Sequence, residues 1–370
     1  MLPFPRSLHS SPRSVRAFAA WLTFVLVAGF LAVAALPGRA ESPCVGSFCW
    51  VQRGSYSGQE FTTLQSPPGN PCVVAFTGLS NNGLGVSTDC GVSYARLLFL
   101  NAYDVTARDT NVGYVAGGTV GVAKTKDTGS NWFQCNTGLP PFLDVRSIVI
   151  HYAHPESAFC ALHGGGVFIG GPIGVNDSLV QWTAINEGLT DTNVRRLVRV
   201  RGGSFMLVAC DGGIFQRGAS HTWSETGPGL VANGLLIDSA DSLLCYAACE
   251  GGFYKSPNSG LSWFPSNTGL PGGVPLNCVA RRTDNDGVLY VGTRGSGVFE
   301  STDFGANWRP FGPAVPGEND VRALLVTTGA TAADSAGVFA GTRTDGLYET
   351  AYSTPASTMT WGHLKDLYRK

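Results

Sequence analysis

The chain has 370 residues, 25 of them basic and 26 acidic, giving a net charge of −1, and 44% of its side chains are hydrophobic. The four arginines of residues 1–40 have no acidic companion there, which leaves the remainder at −5. A mildly acidic body with few lysines speaks against a nucleic-acid binder or an anionic-membrane binder.

In chain order, residues 1–40 come first. Arg6, Arg13 and Arg16 precede an uncharged run from Ala17 to Ala35, and Gly38 and Ala40 are small residues just before Glu41. A basic start, an apolar stretch and a small-residue site predict a secretory signal peptide cut at Ala40/Glu41. The protein is then secreted or periplasmic, with no membrane insertion after cleavage. A retained N-terminal membrane anchor is the alternative, because a run of 19 residues just reaches bilayer-spanning length. No cysteine follows the site directly, so a lipoprotein is not expected. Residues 41–59 read as a short N-terminal segment that extends a sheet edge or staples a seam. All ten cysteines lie beyond residue 40. An even number in an oxidising compartment favours disulfides, with Cys72–Cys90 the best single pair. The competing reading is small buried hydrophobes, since Cys160, Cys210 and Cys245 sit within apolar runs. No Cys-x-x-Cys or His-x-x-x-His spacing points to a metal, and no cofactor is expected.

Residues 60–370 repeat themselves. An aromatic closes each unit at Tyr94, Trp132, Trp182, Trp223, Trp263, Trp308 and Trp361. A second series, Val86, Val122, Val167, Ile214, Phe253, Val298 and Leu347, marks the middle of each unit shortly after glycine. Short apolar runs such as Val145–Ile150 and Phe205–Ala209 lie upstream, separated by Gly, Asn, Asp and Pro turns. Each unit therefore reads as four short strands. A fixed period of this length means that a unit buries its apolar face only against its neighbours. The expected fold is all-β, a single seven-bladed β-propeller of four-stranded antiparallel blades. A right-handed β-helix is the runner-up, but its repeats are shorter and lack a closing aromatic.

One phrase recurs with a mechanical meaning. Ser301-Thr302-Asp303-Phe304-Gly305-Ala306-Asn307-Trp308 has the form Ser-x-Asp-x-Gly-x-x-Trp. Asp accepts hydrogen bonds from turn amides, Ser caps the same turn, Gly supplies a positive φ, and the aromatic packs beneath. Thr125 to Trp132 keeps Asp127 and Gly129. Ser87 to Tyr94 keeps Asp89 and Gly91, and Ser256 to Trp263 has Asn258 in place of the aspartate but keeps Gly260. Asn136-Thr137-Gly138-Leu139, Asn186-Glu187-Gly188-Leu189 and Asn267-Thr268-Gly269-Leu270 follow the aromatics. This pattern resembles the Asp-box, or bacterial neuraminidase repeat, and the propellers of xyloglucanases, sortilin-type receptors and photosystem II assembly-factor-like proteins. Those families share a fold and not an activity. A sialidase would bring an Arg-Ile-Pro motif, and the early unit reads Glu60-Phe61-Thr62-Thr63-Leu64 instead.

The resemblance implies that the boxes join third and fourth strands on the face opposite the usual binding site. The opposite face would then receive His163, Asp211, Glu250, Arg294, Arg343 and Asp345 from turns between strands two and three. Inner-strand starts would add Asp144 with Arg146, Asn193 with Arg195, and Asp320 with Arg322. If this ring functions, Arg146, Arg195 and Arg322 are expected to share one space and to grip an anionic group. Its polar side chains serve equally well as strand caps and solvated ion pairs. The favoured function is a non-enzymatic, monomeric binding or scaffold module for a protein or glycan partner. One alternative is a glycoside hydrolase using two of Asp144, Asp211, Glu250 and Asp320. The other is a structural envelope or surface protein.

Overall fold

The computed structural model describes residues 48–53, 60–66, 74–78, 83–87, 95–98, 101–107, 112–127, 129–142, 144–151, 154, 157–173, 176–200, 203–282, 287–315, 319–327 and 337–352. Residues 1–40, Asp89, Gly91, Tyr94, Trp361 and the cysteines Cys44, Cys72 and Cys90 lie outside them. The described residues form seven four-stranded antiparallel sheets and no helix. The fold is a seven-bladed β-propeller. From blade one to blade seven, the innermost strands are Phe61–Gln65, Asp104–Ala107, Val145–Ile150, Val194–Arg199, Ala232–Ile237, Leu276–Arg281 and Val321–Thr327. Each packs against the inner strands of the adjacent blades, and the first meets the last.

Burial follows from this stacking. Second strands such as Ala158–Leu162, Met206–Cys210 and Cys245–Cys249 are buried at every position. A strand sandwiched between blades has no solvent face, so its sequence is a continuous apolar run rather than an alternating one. The core is correspondingly divided into seven clusters, one at each blade–blade seam. Cys135, Cys160, Cys210, Cys245, Cys249 and Cys278 are buried within it and free. The expected disulfides are absent from these six. Burial pushes the thiols of Cys135, Cys245, Cys249 and Cys278 up to about 12, so they stay protonated and pack as small hydrophobes.

Several closing tryptophans lock their blade to the one before it, whereas Trp132 donates its indole N–H to Gly129 O of its own hairpin. The indole N–H groups of Trp182, Trp223 and Trp308 donate to the carbonyls of Cys135, Ile185 and Ser266 at 2.7, 2.6 and 3.0 Å. Each acceptor immediately precedes an Asn-x-Gly-Leu phrase. The asparagines cap the third strand of their own blade: Asn136, Asn186 and Asn267 Oδ1 accept from the amides of Val122, Val167 and Phe253. The glycines Gly138, Gly188 and Gly269 hold φ of +90°, +83° and +88°. A Cβ at any of them would collide with the carbonyl oxygen of the next blade's tryptophan, so the phrase recurs because only glycine permits this approach.

The seventh blade departs from the linear count. Its outermost strand is Phe48–Arg53, paired antiparallel with Leu347–Tyr352. Trp50 is fully buried there and donates its indole N–H to Pro313 O at 3.1 Å. Trp50 thus stands in the seventh blade where closing tryptophans stand in the others, and Trp361, the residue the spacing suggests, lies outside the described residues. A period counted along the chain cannot see a unit completed from the opposite end.

In the box hairpins the hydroxyl is the hub. Ser301 Oγ, itself buried, accepts from the amides of Gly305 at 2.8 Å and Asp303 at 3.3 Å, and donates to Asp303 Oδ1 at 2.8 Å. Asp303 in turn accepts from the backbone and side-chain nitrogens of Asn307. Thr125 with Asp127, and Ser256 with Asn258, repeat the arrangement. The Asn307 amide leads the set of hydrogen bonds that holds the Asp303 carboxyl down at about 2.

Candidate functional site

Antiparallel alternation puts the first residue of every inner strand and the turn between strands two and three at one end of the blade. The box hairpins fall at the other end. Six of the seven inner strands carry a bulge right after their first residue. The extra residues are Thr62, Arg146, Arg195, Asn233, Asn277 and Arg322. A bulge re-aims a side chain out of the ladder, and here all six line one open cavity of about 410 Å³ at the channel mouth. Glu60, Tyr103, His163 and Arg196 line it as well.

The mouth is tied together from blade to blade. Asp211 accepts from His163 at 3.1 Å and from Arg195 Nε. Arg195 Nη1 donates to Asn233 Oδ1 at 3.2 Å, and Asn233 Nδ2 donates to Glu250 at 3.0 Å. Arg294 clasps Glu250 with both terminal nitrogens, at 2.8 and 3.2 Å. Asn277 Nδ2 donates to Asp320, which also takes Arg322 at 2.9 Å. In the third blade, Arg146 grips Asp144 with two hydrogen bonds and lies 4.3 Å from the centroid of the Tyr103 ring. Deeper in the channel, Arg196 reaches across to Thr63 at 3.0 Å and Asp104 at 3.7 Å.

Of the sequence-predicted residues, Arg146, Arg195, Arg322 and His163 line the cavity. Asp144, Asp211, Glu250, Asp320 and Arg294 stand behind as partners. Asn193 contributes backbone, its carbonyl receiving the Asp211 amide. Arg343 is exposed, with its amide on Asp320 O. Asp345 accepts Gln52 Nε2 through its carbonyl, at the seam closed by the N-terminal strand. Box residues Ser87, Asp127, Gly129, Trp132, Ser256, Asn258, Gly260, Trp263, Ser301, Asp303, Gly305 and Trp308 take no part in the cavity lining. Sequence reasoning missed Glu60, Tyr103, Arg196, Asn233 and Asn277. The two asparagines had a signal: they occupy the same inner-strand position as Arg146, Arg195 and Arg322.

The three sequence-predicted arginines, Arg146, Arg195 and Arg322, are neither sealed between blades nor free. Their side chains are 24–39% exposed, face the cavity, and are braced from behind by carboxylates. The electrostatics of those carboxylates limit their chemistry. Partial burial pushes Asp211 upward, but the hydrogen bonds and charges of Arg195 and His163 outweigh it and hold the carboxyl below its ordinary value. Glu250 is likewise raised by burial and lowered further by Asn233, Arg294 and Arg195.

No family model and no curated protein matches the sequence. Solved structures do match. YCF48 bound to D1 peptide superposes with a TM-score of 0.59 at 15% identity, over 85% of this chain and 99% of that one. The extracellular domain of a putative hybrid two-component system from B. thetaiotaomicron gives 0.62 at 13%, over 82% of this chain and 40% of that one. An ancestral GH74 enzyme gives 0.62 at 15%, over 81% of this chain and 46% of that one. The propeller fold is shared. At these identities the likeness carries architecture and leaves activity to the site.

Proposed function

We propose that this protein is an exported propeller that captures an anionic segment of a protein partner in the mouth of its central channel. The observation carrying this reading is the convergence of Arg146, Arg195, Arg196 and Arg322 on one cavity in which Glu60 is the only acidic lining residue among those described. Guanidinium groups braced from behind are pre-oriented, so less side-chain entropy is lost when they grip a carboxylate. A neighbour of similar length and fold is bound to a peptide. Export rests on the basic, apolar and small-residue succession of residues 1–40. That a structural neighbour is an extracellular domain agrees with it.

Glycoside hydrolysis finds less support at the same place. It requires a carboxylic acid that keeps its proton near neutrality. Asp211 and Glu250 are held in the opposite direction, and Asp144 and Asp320 are each committed to an arginine.

The test is binding of a fluorescent glutamate-rich dodecapeptide, its glutamine counterpart and an oligogalacturonate, by anisotropy. The acidic peptide should bind, and binding should weaken as salt rises because mouth and ligand are both water-accessible. The Arg146→Ala, Arg195→Ala, Arg322→Ala triple variant should keep its fold and lose the peptide. Capture of the saccharide alone would replace the protein partner by a glycan. Unchanged peptide binding in the triple variant would refute the reading.

A further inference from the structure

The mouth is not uniform around its circumference. In blades three to seven the turn between strands two and three opens with a polar, charge-bearing side chain: His163, Asp211, Glu250, Arg294 and Arg343. Blade two has Gly117 at the corresponding point, followed by Gly118-Thr119-Val120-Gly121. Its inner strand is also the one that pairs without a bulge. No polar side chain is thrown into the mouth from that strand. Asp104 is instead buried beneath, accepting from Ser147 Oγ at 2.8 Å and the Ile148 amide at 3.1 Å.

What blade two presents is carbon. Tyr103 lies flat against the turn, so closely that a Cβ on Gly118 would strike its ring at 2.6 Å. Val120 is 41% exposed, and Phe142 is 92% exposed, the highest value for a large hydrophobic among the described residues. The backbone bridge between Gly118 and Val145, with both hydrogen bonds at 3.1 Å, holds the Val120 turn against the linker that carries Phe142. Much of the turn's backbone is paired internally, and Thr119 is exposed beside Val120. The amides of Gly117, Val120 and Gly121 bond within the turn, and Val120 O accepts from Gln134 and Asn136. A single exposed apolar residue on a protein needs no explanation. Here Val120 and Phe142 are carried by the two segments that the Gly118–Val145 bridge joins, on the side of the mouth where the cavity-lining Arg146 stacks on Tyr103.

Resting on the anionic-segment reading above, we infer that blade two is a seat for a hydrophobic side chain. The partner is then an acidic peptide with an aromatic or long aliphatic residue next to its carboxylate. A carboxylate held by Arg146 lies beside the Tyr103 ring, so an apolar side chain next to it in the partner is directed to the blade-two side of the mouth, where Val120 and Phe142 are exposed.

The experiment compares two labelled peptides that differ only in the residue after a central glutamate, tryptophan or serine, by anisotropy titration. Wild type should prefer the tryptophan peptide by about tenfold, as expected for partial burial of one large apolar side chain. The Val120→Ser, Phe142→Ser double variant changes exposed side chains, and its thermal midpoint reports on folding. It should bind both peptides with the wild-type affinity for the serine peptide. No preference in wild type, or a preference that survives in the double variant, would overturn the inference. Arg195→Ala with Arg322→Ala should weaken both peptides equally while the tryptophan preference persists. Unchanged affinity in that variant would sink the anionic reading instead, so the two failures are told apart.

Discussion

The box hairpin of blade six and the channel mouth are both built around hydrogen-bonded Asp and Asn side chains, arranged on different length scales. In the hairpin, Ser301, Asp303, Gly305 and Asn307 satisfy one another within seven consecutive residues. At the mouth, Asp211 meets His163 across 48 positions, and Glu250 meets Arg294 across 44. The first arrangement stabilises a turn. The second joins whole blades and leaves half-exposed groups facing a cavity. The difference separates residues that hold the fold from residues available to a ligand.

That contrast can be broken most forcefully at the box end. Trp308 is buried, edge-on to Phe253 at 4.7 Å, and bonded to Ser266 O. Trp308→Ala should cost about 3–5 kcal/mol, read from the urea midpoint. The folded fraction should still bind the glutamate-rich peptide as wild type does. A loss of peptide affinity without a stability change would erase the division of labour.

A second, smaller effect separates hub from periphery inside the box. Ser301→Ala leaves the buried Gly305 amide without its acceptor and should cost about 1–3 kcal/mol. Asp303→Asn should cost about 1 kcal/mol or less, because the amide oxygen can still accept from the buried Ser301 hydroxyl and the exposed Asn307 groups can turn to water. The wild-type Asp303 carboxyl lies at about 2, below the ordinary 3.8. A depressed folded-state value means stability that is complete above 3.8 and lost as pH falls towards 2. Melts between pH 5 and 2 should therefore show a steeper decline in wild type than in Asp303→Asn.

The smallest stability effect belongs to the mouth. Asp211→Asn removes a charge whose side chain is 37% exposed and should shift stability by no more than ~0.5 kcal/mol. With its brace gone, Arg195 should swing more freely and the salt dependence of peptide binding should steepen. A large stability loss would mean that the belt is scaffold after all.

The same length scales explain what could be read from the sequence. Seven units, four strands each and the hydroxyl–carboxylate hairpins were legible because their causes sit within one period. The Asn-x-Gly-Leu phrase was visible, but its reason was not, since the glycine answers to a tryptophan carbonyl in the next blade. Arg146, Arg195 and Arg322 were found as a repeated phrase. Asn233 and Asn277 were missed because the shared element is a bulge, a backbone irregularity with no fixed residue type. Nothing local marks Arg196 as the side chain that crosses the channel. Trp50 was out of reach of any count, because its blade is assembled from both ends of the repeat.

That last arrangement also governs how the molecule can be made. Phe48–Arg53 leaves the ribosome early, whereas its partner strand Leu347–Tyr352 leaves almost three hundred residues later. Until then the first strand has no ladder to join, and the Trp50 indole has no Pro313 carbonyl to meet. Blades one to six can stack as they emerge, but the circle remains open, with unpaired backbone at its free edge. Completion is a single late event that joins the first and the last of the described strands. Loss of Phe48–Arg53 would leave blade seven one strand short, with Leu347–Tyr352 as an unpaired edge open to aggregation.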